Sequence, residues 1–318
     1  MNFENQRIVV AGGAGFVGGH LVRRLLEQGA RVTVLDNFHT GSRATLAGLE
    51  GDRLSVVDHD VCAPLDMACD LVINLACPAS PEHYQADPLQ TWRTSVFGSA
   101  NLVEMAQRHG ARIVQASTSE VYGDPELHPQ AETYWGNVSC TGPRACYDEG
   151  KRAAETYLLD MFREKNVDVR IARLFNTYGP GMAINDGRVV SNFVVQALRG
   201  EALTVFGDGT QTRSFCYVSD TVNGLLALAA GRGLQGQVFN IGNPDERSVL
   251  EIAELVRTLT GSAVAMRREP AAIDDPRRRC PDISRARQRL GWAPETALRD
   301  GLEMTIADFR GRLAAGAT

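Results

Sequence analysis

A tyrosine and a lysine four residues apart, Tyr147 and Lys151 in the run ACYDEGKRAAET, are the pair best suited to catalysis in this sequence. On a helix, positions i and i+4 lie on one face, so the ammonium group comes close to the phenol. A nearby positive charge favours the phenolate, and we therefore expect the pKa of Tyr147 to lie below ~10. Such a phenol can take a proton from a sugar or alcohol hydroxyl as a general base. The alternative is a surface helix on which the spacing is accidental.

A glycine-rich segment near the start of the chain has glycines at positions 12, 15 and 18. It follows the apolar run 8–11, which predicts a strand, and precedes the amphipathic stretch 20–28, which predicts a helix. Gly12 would form the tight turn, Gly15 would let a pyrophosphate approach the backbone, and Gly18 would let helix and strand pack closely. Free N–H groups and the helix dipole would favour the anion. The alternative is a glycine-rich turn without a ligand.

A carboxylate, Asp36, ends the next predicted strand, residues 31–35. In this position a carboxylate suits the hydroxyls of an adenosine ribose and repels a 2′-phosphate, so we predict NAD rather than NADP as the cofactor. The predicted cofactor-binding residues are those of the glycine motif, the residues that follow predicted strands, and the tyrosine–lysine pair: Gly12, Gly15, Phe16, Val17, Gly18, Asp36, Asn37, Asp60, Val61, Leu75, Ala76, Tyr147 and Lys151.

Composition agrees with an ordinary globular enzyme of 318 residues, with 44% hydrophobic and 22% charged residues. The net charge of −5 without a long basic run argues against a nucleic-acid partner. No apolar run reaches the ~18 residues of a membrane span, and the first strand begins too early to leave room for a signal peptide. Seven irregularly spaced cysteines indicate reduced thiols in the cytoplasm, and we predict no metal site.

Alternating strands and helices predict a Rossmann-type, doubly wound parallel α/β sheet with a smaller C-terminal α/β substrate lobe. Residues 1–175 would form the NAD-binding domain, with returning segments near 214–242, and residues 176–318 mainly the substrate lobe. Ligands would then bind beyond the carboxyl ends of the strands. Further strands are predicted at 54–57, 71–75, 112–116, 169–174 and 238–241, and helices at 88–108, 147–163 and 219–230.

The combination of the glycine motif with Tyr147-x-x-x-Lys151 resembles the extended short-chain dehydrogenase/reductases, in their nucleotide-sugar branch. More narrowly, several long segments resemble the UDP-glucuronate decarboxylase (UDP-xylose synthase) family over nearly the whole chain. These segments are NLACPASPEHYQADP, ASTSEVYGDPELHPQ, YWGN, GPRACYDEGKR, FNTYGP, DGRVVSNF and GDGTQTRSF. The resemblance implies a UDP-sugar substrate and catalytic NAD.

The resemblance also implies a mechanism in which Tyr147 removes the proton of the sugar C4 hydroxyl while the C4 hydride passes to NAD⁺. The 4-keto group is then β to the C6 carboxylate, so CO₂ can leave, and the hydride returns to C4 after protonation at C5. Thr118 would hydrogen-bond the C4 oxygen, where negative charge develops. Lys151 would also hold the nicotinamide ribose.

The triplet Thr118-Ser119-Glu120 separates this reaction from dehydration. Related 4,6-dehydratases carry Asp in place of Ser119, as an acid that protonates the departing C6 hydroxyl. Ser119 has no proton to give at a useful pKa and adds no charge beside a substrate carboxylate. Glu120 would repel that carboxylate and so favour loss of CO₂, unless the two are held apart. The alternative for Ser119 and Glu120 is a cap at the end of a strand.

The predicted substrate-binding residues combine cations for the diphosphate with polar groups for the sugar. Guanidinium groups match phosphate oxygens, which suits Arg188 and Arg213, whereas surface exposure is the alternative for any single arginine. Arg279 matches an arginine that the resembling family places near the substrate, and Arg277 and Arg278 are expected at the surface. Tyr84 would line the sugar pocket, with core packing as the alternative. The complete set is Tyr84, Asn176, Arg188, Gln211, Arg213 and Arg279.

Three departures from the family pattern leave the sugar open. The chain has Ser139-Cys140-Thr141-Gly142 instead of N-P-I-G, Gly181 instead of Arg, and Cys280 instead of Lys. The first two are expected near the sugar site. The alternatives to a decarboxylase are a 4-epimerase of a UDP-uronate or another UDP-sugar, a 4,6-dehydratase, and a non-catalytic NAD-binding regulator.

Two predicted helices, near 90–108 and 147–163, carry apolar residues that could face a second copy of the chain. In the resembling family such helices form a four-helix bundle, which implies a homodimer. The alternative is that the same residues cover the sheet. They are Val96, Leu102, Val103, Tyr157, Leu158 and Met161.

Overall fold

The computed structural model describes residues 3–271 and 276–316. Its strands are β1 Arg7–Ala11, β2 Arg31–Asp36, β3 Leu54–Asp58, β4 Leu71–Asn74, β5 Arg112–Thr118, β6 Val169–Leu174, β7 Thr177–Tyr178, β8 Leu203–Phe206, β9 Thr212–Ser214, β10 Cys216–Tyr217, β11 Gln237–Ile241, β12 Glu246–Ser248 and β13 Met266–Glu269. Its helices are α1 Phe16–Glu27, α2 Pro81–Ala86, α3 Pro88–Arg93, α4 Ser99–His109, α5 Ala145–Lys165, α6 Val189–Arg199, α7 Val218–Ala230, α8 Val249–Thr260, α9 Ser284–Leu290 and α10 Leu298–Ala314.

Seven of these strands form one sheet in the order β11-β6-β5-β4-β1-β2-β3, and all neighbours in it run parallel. The prediction of a Rossmann-type doubly wound sheet is confirmed. The strand order reverses at β1, which pairs with β2 on one side and β4 on the other. Open sheets of this kind bind ligands at that reversal, outside the carboxyl ends of the strands.

The central strands are apolar along their length because helices cover both faces of the sheet. Every residue of β4 is buried, as is every residue of β1 after the first. On one face, α1 and α7 pack together through buried leucines and valines such as Leu21 and Leu225. On the other face, α4 and α5 supply buried residues such as Val103 and Leu158. The two layers fix where each strand ends, and therefore where the site lies.

Helix α1 begins inside the glycine motif, four residues earlier than the stretch 20–28 that the apolar pattern predicts. Gly15 is its N-cap, and Gly18 and Gly19 are buried within its first turns. The apolar period does not reveal this start because glycine has no side chain to contribute to the pattern. The free N–H groups of the first turn of α1 therefore lie close to the carboxyl end of β1.

The predicted helix 88–108 consists of α3, a π-helical segment Thr94–Gly98 and α4 in direct succession. A π segment inserts an extra residue into the helical turn and shifts the side chains that follow it. Gly98 lies at its end, where a Cβ would come within 2.6 Å of the Val61 side chain. The helix thus passes close to the loop after β3.

The region after residue 175 builds a smaller layer of short strand pairs, β7 with β10, β8 with β13, and β9 with β12. Helices α6, α8 and α10 pack beside them. Two segments return to the main sheet: β11 pairs with β6, and α7 packs on β5 and β6. We propose a division near residue 175, with these returning segments assigned to the larger unit. No helix in the described parts of the chain is long and apolar enough to cross a membrane.

Candidate active site

Two adjoining cavities open at the carboxyl ends of the strands. The first, of about 770 Å³, lies over the glycine motif and is called the cofactor cavity here. The second, of about 640 Å³, lies between the ends of β5 and β6 and the smaller layer, and is called the substrate cavity. Both sizes are typical of ligand sites. Five residues line both cavities and so mark where bound molecules would meet: Val17, Leu75, Cys77, Ala79 and Arg188.

The glycines of the cofactor cavity bring the backbone closer to a ligand than any side chain would allow. Gly12 has a φ of 74°, and a Cβ there would lie 2.8 Å from the backbone nitrogen of Ala76. A Cβ on Gly18 would lie 2.2 Å from the carbonyl oxygen of Gly12. A Cβ on Gly15 would meet only that same oxygen, at 3.3 Å, so its other side is open. These contacts fit the roles predicted for the three glycines in holding a pyrophosphate.

Asp36 closes the adenosine end of the cofactor cavity. Its Oδ2 accepts from the backbone N–H of Ala14 at 2.9 Å, and its Oδ1 accepts from that of Phe38 at 2.9 Å. Each carboxylate oxygen can accept more than one hydrogen bond, so the group can also bind ribose hydroxyls. The buried carboxylate would repel a 2′-phosphate, which agrees with NAD.

Eleven of the predicted cofactor-binding residues line the cofactor cavity: Gly12, Gly15, Phe16, Val17, Gly18, Asp36, Asn37, Asp60, Val61, Leu75 and Ala76. The other two, Tyr147 and Lys151, line the substrate cavity together with Thr118, Ser119 and Glu120. The five predicted catalytic side chains are therefore brought together on one wall. Contact of each residue with a ligand stays a prediction.

The Tyr147–Lys151 pair of α5 is buried, and the pKa of Tyr147 differs from the prediction. The Nζ of Lys151 donates to the carbonyl oxygen of Ala116 at 3.0 Å and lies 5.8 Å from the ring centroid of Tyr147. Burial raises the pKa of Tyr147 well above its ordinary value, the neighbouring thiol of Cys77 raises it further, and a hydrogen bond with Thr118 lowers it only in part. The predicted lowering of this pKa is not seen in this structure, where desolvation of the phenolate is the largest influence.

Tyr84 packs against Tyr147. Its ring stacks on that of Tyr147 with 4.9 Å between centroids and 5° between planes, and it is 1% exposed. It is absent from the described lining of both cavities. The core-packing alternative therefore describes its place in this structure, whereas its contact with a sugar stays a prediction.

Glu120 is held between two arginines that the fold brings from distant parts of the chain. Arg279 donates through both terminal nitrogens, at 2.8 Å to Oε1 and 2.7 Å to Oε2, and Arg144 donates to Oε1 at 2.9 Å. All three side chains are almost fully buried. Burial alone would raise the pKa of Glu120, but the charges of Arg279 and Arg144 outweigh it and the pKa lies below its ordinary value. Glu120 is therefore an anion at neutral pH.

Thr118 serves both as a cap and as a member of the site. Its Oγ1 accepts from the backbone N–H of Glu120 at 3.2 Å, which stabilises the short 3₁₀ turn Ser119–Tyr122. A hydroxyl that accepts one hydrogen bond can still donate another, toward the cavity. The capping alternative and the catalytic prediction are therefore compatible.

The remaining predicted substrate residues also line the substrate cavity: Asn176, Arg188, Gln211 and Arg213. Arg188 pairs with Asp186, donating from Nη2 to Oδ1 at 3.1 Å, and forms the N-cap of α6. Arg213 is 4% exposed and donates to the carbonyl oxygen of Thr212 at 2.7 Å. Gln211 donates to the carbonyl oxygen of Phe206 at 2.8 Å. These contacts hold the side chains in fixed positions before a ligand arrives.

Arg144 is the main functional candidate that the sequence predictions missed. The sequence did contain a cue to its role, because Arg144 lies three residues before Tyr147 within the segment GPRACYDEGKR. With it, five cationic side chains line the described part of the substrate cavity, against the single carboxylate of Glu120. The five are Arg144, Lys151, Arg188, Arg213 and Arg279. Such an excess favours a substrate with several negative charges.

Comparison with known proteins gives the family. The model of the NAD dependent epimerase/dehydratase family matches residues 8–242, which include the glycine motif, the triplet and the Tyr147–Lys151 pair. The chain belongs to the NAD dependent epimerase/dehydratase family. Among its relatives, the UDP-glucuronic acid decarboxylase 3 of Arabidopsis thaliana is 53% identical over 311 residues, which cover 97% of this chain and 90% of the relative. The resemblance to decarboxylases is confirmed at this level.

Two solved structures of the same family share the fold along almost their whole length. The UDP-glucuronic acid 4-epimerase of Bacillus cereus, in complex with UDP-glucuronic acid and NAD, has a TM-score of 0.88 and 26% identity and covers 96% of this chain and 99% of its own. DesIV, a dTDP-glucose 4,6-dehydratase from Streptomyces venezuelae with NAD bound, has a TM-score of 0.89 and 28% identity. The match covers 97% of this chain and 98% of DesIV. NAD is the cofactor of this family.

The departures from the family pattern lie elsewhere than expected. Gly181 lines the cofactor cavity, and its backbone N–H donates to Asp308 Oδ2 at 3.0 Å. The expectation that it lies at the sugar site is wrong, because the loop after β7 turns back toward α1. Ser139, Cys140 and Thr141 are exposed and line neither described cavity.

Cys280 is buried next to an ion pair between His128 and Glu246, whose Nε2 and Oε2 atoms lie 3.0 Å apart. The three possible ligand atoms lie within 4.8 Å of one another. Glu246 also accepts a hydrogen bond from Thr212, so its carboxylate is already engaged within the protein. The prediction that the protein has no metal site stays a prediction.

Asp148 is a buried acid behind the catalytic wall, and we predict that it makes stability depend on pH. Burial and the charge of Glu120 raise its pKa to about 7. Its unfolded pKa is near ~3.9, so the folded state binds the proton more tightly, and stability falls as pH rises from about 4 to 7. Asp148→Asn removes the free-energy cost of ionising a buried carboxyl group. It should therefore raise the free energy of unfolding at pH 8 by up to about 4 kcal/mol.

The measurement is urea unfolding of both proteins at pH 5 and pH 8. We expect the free energies of unfolding of the two proteins to differ by about 1.5 kcal/mol at pH 5 and by up to about 4 kcal/mol at pH 8. An equal difference at both values would show that the carboxylate does not titrate in this range. Asp160→Asn, at a half-exposed position of the same helix, is the matched control and should change little at either pH.

Proposed function

We propose that this protein is an NAD-dependent UDP-glucuronate decarboxylase that forms UDP-xylose. The observation that carries the proposal is the charge of the substrate cavity, with five cationic side chains against one carboxylate. A nucleoside diphosphate with a neutral hexose engages cations at one end only. UDP-glucuronate adds a carboxylate, which Arg144 and Arg279 beside Glu120 would bind. The identity of 53% with a UDP-glucuronic acid decarboxylase supports the same substrate.

Ser119 supports decarboxylation over dehydration. It is 2% exposed and lines the substrate cavity between Thr118 and Glu120. A dehydratase needs an acid there to protonate a departing hydroxyl, and a serine hydroxyl cannot supply a proton at neutral pH. Loss of CO₂ needs no such acid, because the electrons of the breaking bond pass to the 4-keto oxygen.

The five predicted catalytic residues, which line one wall of the substrate cavity (the catalytic wall), would have distinct roles in the reaction. Tyr147 would accept the proton of the C4 hydroxyl and return it at the end. Burial raises the pKa of Tyr147, and the positive charge of bound NAD⁺ would lower it again and so let the phenol act as a base. Thr118 would donate a hydrogen bond to the C4 oxygen as that oxygen gains negative charge. Lys151, anchored on Ala116, would hold the nicotinamide ribose and so set the position of the cofactor. NAD⁺, held by the residues of the cofactor cavity, would supply a hydride acceptor and a positive charge beside the sugar and would not be consumed.

Glu120 would tune the cations that hold the substrate carboxylate. Because Glu120 takes both terminal nitrogens of Arg279, much of that charge is already neutralised. The substrate carboxylate would then be bound less tightly than by two arginines without a counter-ion. Because the ground state is stabilised less, the barrier to CO₂ loss is lower. This replaces the simpler expectation of repulsion between two carboxylates, since Arg144 and Arg279 lie beside the negative charge.

The proposal is tested by incubating the purified protein with NAD⁺ and each of UDP-glucuronate, UDP-galacturonate and UDP-glucose, and analysing products by mass spectrometry. We expect only UDP-glucuronate to lose the mass of one CO₂. A product of unchanged mass and altered chromatographic mobility would instead identify a UDP-uronate 4-epimerase. That second candidate is favoured by the similarity to the Bacillus cereus UDP-glucuronic acid 4-epimerase.

We propose that the protein works in a reducing compartment, the cytoplasm. All seven cysteines are free thiols. Buried Cys69 and Cys216 have pKa values raised by burial, to about 11 and about 12, so they are unreactive thiols. Reduced, unreactive cysteines agree with such a compartment.

We also propose a homodimer through α3, the π-helical segment Thr94–Gly98, α4 and α5, in which Tyr157 is the predicted residue that stays exposed. Leu102, Val103 and Leu158 belong to the core under the sheet, and Met161 packs against that core, so they cover the sheet instead. The exposed apolar side chains of these helices are Leu89, Trp92, Phe97 and Tyr157. The rings of Trp92 and Phe97 are in contact, with 5.5 Å between centroids, and neighbouring exposed apolar side chains favour an interface.

The double variant Leu89→Glu/Phe97→Glu should be monomeric, because two buried, unpaired charges on each side would oppose association. The measurement is size-exclusion chromatography with light scattering on the unchanged and variant proteins. Leu127→Glu, which changes an exposed leucine outside these helices, should leave the mass unchanged. A monomeric unchanged protein, or a double variant that stays dimeric, would contradict this interface.

A further inference from the structure

The charges that line the cofactor cavity are unusual for a site that must hold a pyrophosphate. Four carboxylates belong to the described lining, Asp36, Asp60, Asp87 and Asp186, against two guanidinium groups, Arg188 and Arg312. The first turn of α1 has no acidic residue, and its N–H groups can accept part of the anion's charge. Among the described lining residues, these two arginines are the permanent cations that can add to this attraction.

Arg188 is poorly placed for this purpose. Both of its hydrogen bonds go to Asp186, which itself lines the cavity and cancels its charge there. Arg188 also lines the substrate cavity, so it lies at the border where the two ligands meet. Its charge is therefore shared with the substrate side.

Arg312, on the C-terminal helix α10, is held from behind by groups outside the described cavity lining. Its Nε donates to Asp308 Oδ2 at 3.0 Å and its Nη2 donates to the carbonyl oxygen of Met182 at 2.7 Å. Its guanidinium lies 4.6 Å from the ring centroid of Phe309. None of the described residues accepts a hydrogen bond from its Nη1. The side chain is thus fixed in one orientation while part of its fork remains available to a ligand.

Gly181 places this arginine beside the start of α1. A Cβ on Gly181 would lie 3.6 Å from His20 Nε2 and 3.9 Å from Phe16 Cδ2, so its loop packs on the first turns of that helix. The backbone N–H of Gly181 donates to the same Asp308 oxygen that pairs with Arg312. The loop, α10 and the anion-binding end of α1 therefore meet at one point of the cavity wall.

We propose that Arg312 binds the pyrophosphate of the dinucleotide and that α10 is part of the cofactor site. Guanidinium groups pair with phosphate oxygens through two parallel hydrogen bonds, which a residue anchored in this way can offer without rearrangement. The proposal rests on NAD binding and does not depend on which sugar the enzyme uses.

The test is calorimetric titration of the full chain, freed of bound nucleotide, with NAD⁺ and separately with adenosine. We expect Arg312→Gln to raise the Kd for NAD⁺ by about tenfold or more and to leave that for adenosine unchanged, since only NAD⁺ carries the pyrophosphate. The Kd for NAD⁺ should also depend less on salt. Arg310→Gln, an exposed arginine of the same helix, is the matched control and should bind as the unchanged protein does.

A Kd for NAD⁺ within twofold of the unchanged protein, or an equal loss for NAD⁺ and adenosine, would overturn the proposal. If Arg312→Gln does not fold, the same titration of Asp308→Asn with NAD⁺ tests the proposal. It keeps the cation and removes the competing carboxylate, so NAD⁺ should bind as tightly as before or more tightly. If the ion pair had only a structural role, Asp308→Asn would weaken binding.

Discussion

Replacing Tyr147 with phenylalanine should lower kcat by about 10³-fold while the protein still binds NAD⁺ and UDP-glucuronate. In the proposed mechanism the phenol of Tyr147 accepts the C4 proton and returns it. Its ring stacks on Tyr84 and would stay in place without the hydroxyl. The loss should therefore appear in kcat, with little change in the Kd of either ligand.

The matched control is Tyr157→Phe, which removes a hydroxyl from an exposed position of the same helix. That hydroxyl donates to Glu104 at 2.6 Å, away from both described cavities, and its loss should leave kcat unchanged. The measurement is steady-state release of CO₂ from UDP-glucuronate, with ligand binding by calorimetry. Full activity of Tyr147→Phe would show that another group moves the proton.

Replacing Arg279 with glutamine should lower kcat/KM for UDP-glucuronate by about 10²-fold or more, because it removes a buried partner of both Glu120 and the substrate carboxylate. Glu120 would keep Arg144 alone, so its pKa should rise. The same change should lower the free energy of unfolding by about 3 kcal/mol, as expected when one partner of a buried ion pair is lost.

Two comparisons separate a substrate contact from general damage. Arg277→Gln, two residues away, removes an exposed arginine that pairs with Asp124, and it should behave as the unchanged protein. UDP-glucose, which lacks the carboxylate, should bind Arg279→Gln almost as well as the unchanged protein, whereas UDP-glucuronate should bind much more weakly. Equal weakening of both ligands would place Arg279 outside the carboxylate site.

Much of the fold and of the cofactor site could be predicted because local patterns determine them. The apolar run before the glycine motif, the spacing of its glycines, and Asp36 at the end of β2 all lie within one short stretch of chain. The same holds for the i, i+4 spacing of Tyr147 and Lys151. Features that depend on neighbouring residues in sequence are readable without knowledge of the tertiary fold.

What could not be predicted depends on contacts between distant segments or on burial. Arg279 reaches Glu120 from a loop 159 positions away, and no local pattern reveals that pairing. The pKa of Tyr147 depends on how deeply α5 packs, which reversed the expected direction. Leu102 and Leu158 looked like interface residues because the same apolar spacing serves a sheet-covering helix and a bundle.

The position of Gly181 illustrates the same limit. Its neighbours in sequence, FNTYGP, suggested the sugar site, whereas its neighbours in space are His20 and Phe16 of α1. A turn at positive φ redirects the loop toward the cofactor cavity. The resulting contact between the loop and α10 could be inferred only from the structure.

The most direct test of the proposed reaction is NMR of the purified protein with UDP-glucuronate labelled with ¹³C at C6 and catalytic NAD⁺ in D₂O. We predict ¹³CO₂ and UDP-xylose with one deuterium at C5, because CO₂ leaves from a 4-keto sugar and C5 is then protonated by solvent. UDP-galacturonate that retains its ¹³C would contradict decarboxylation and establish the epimerase instead.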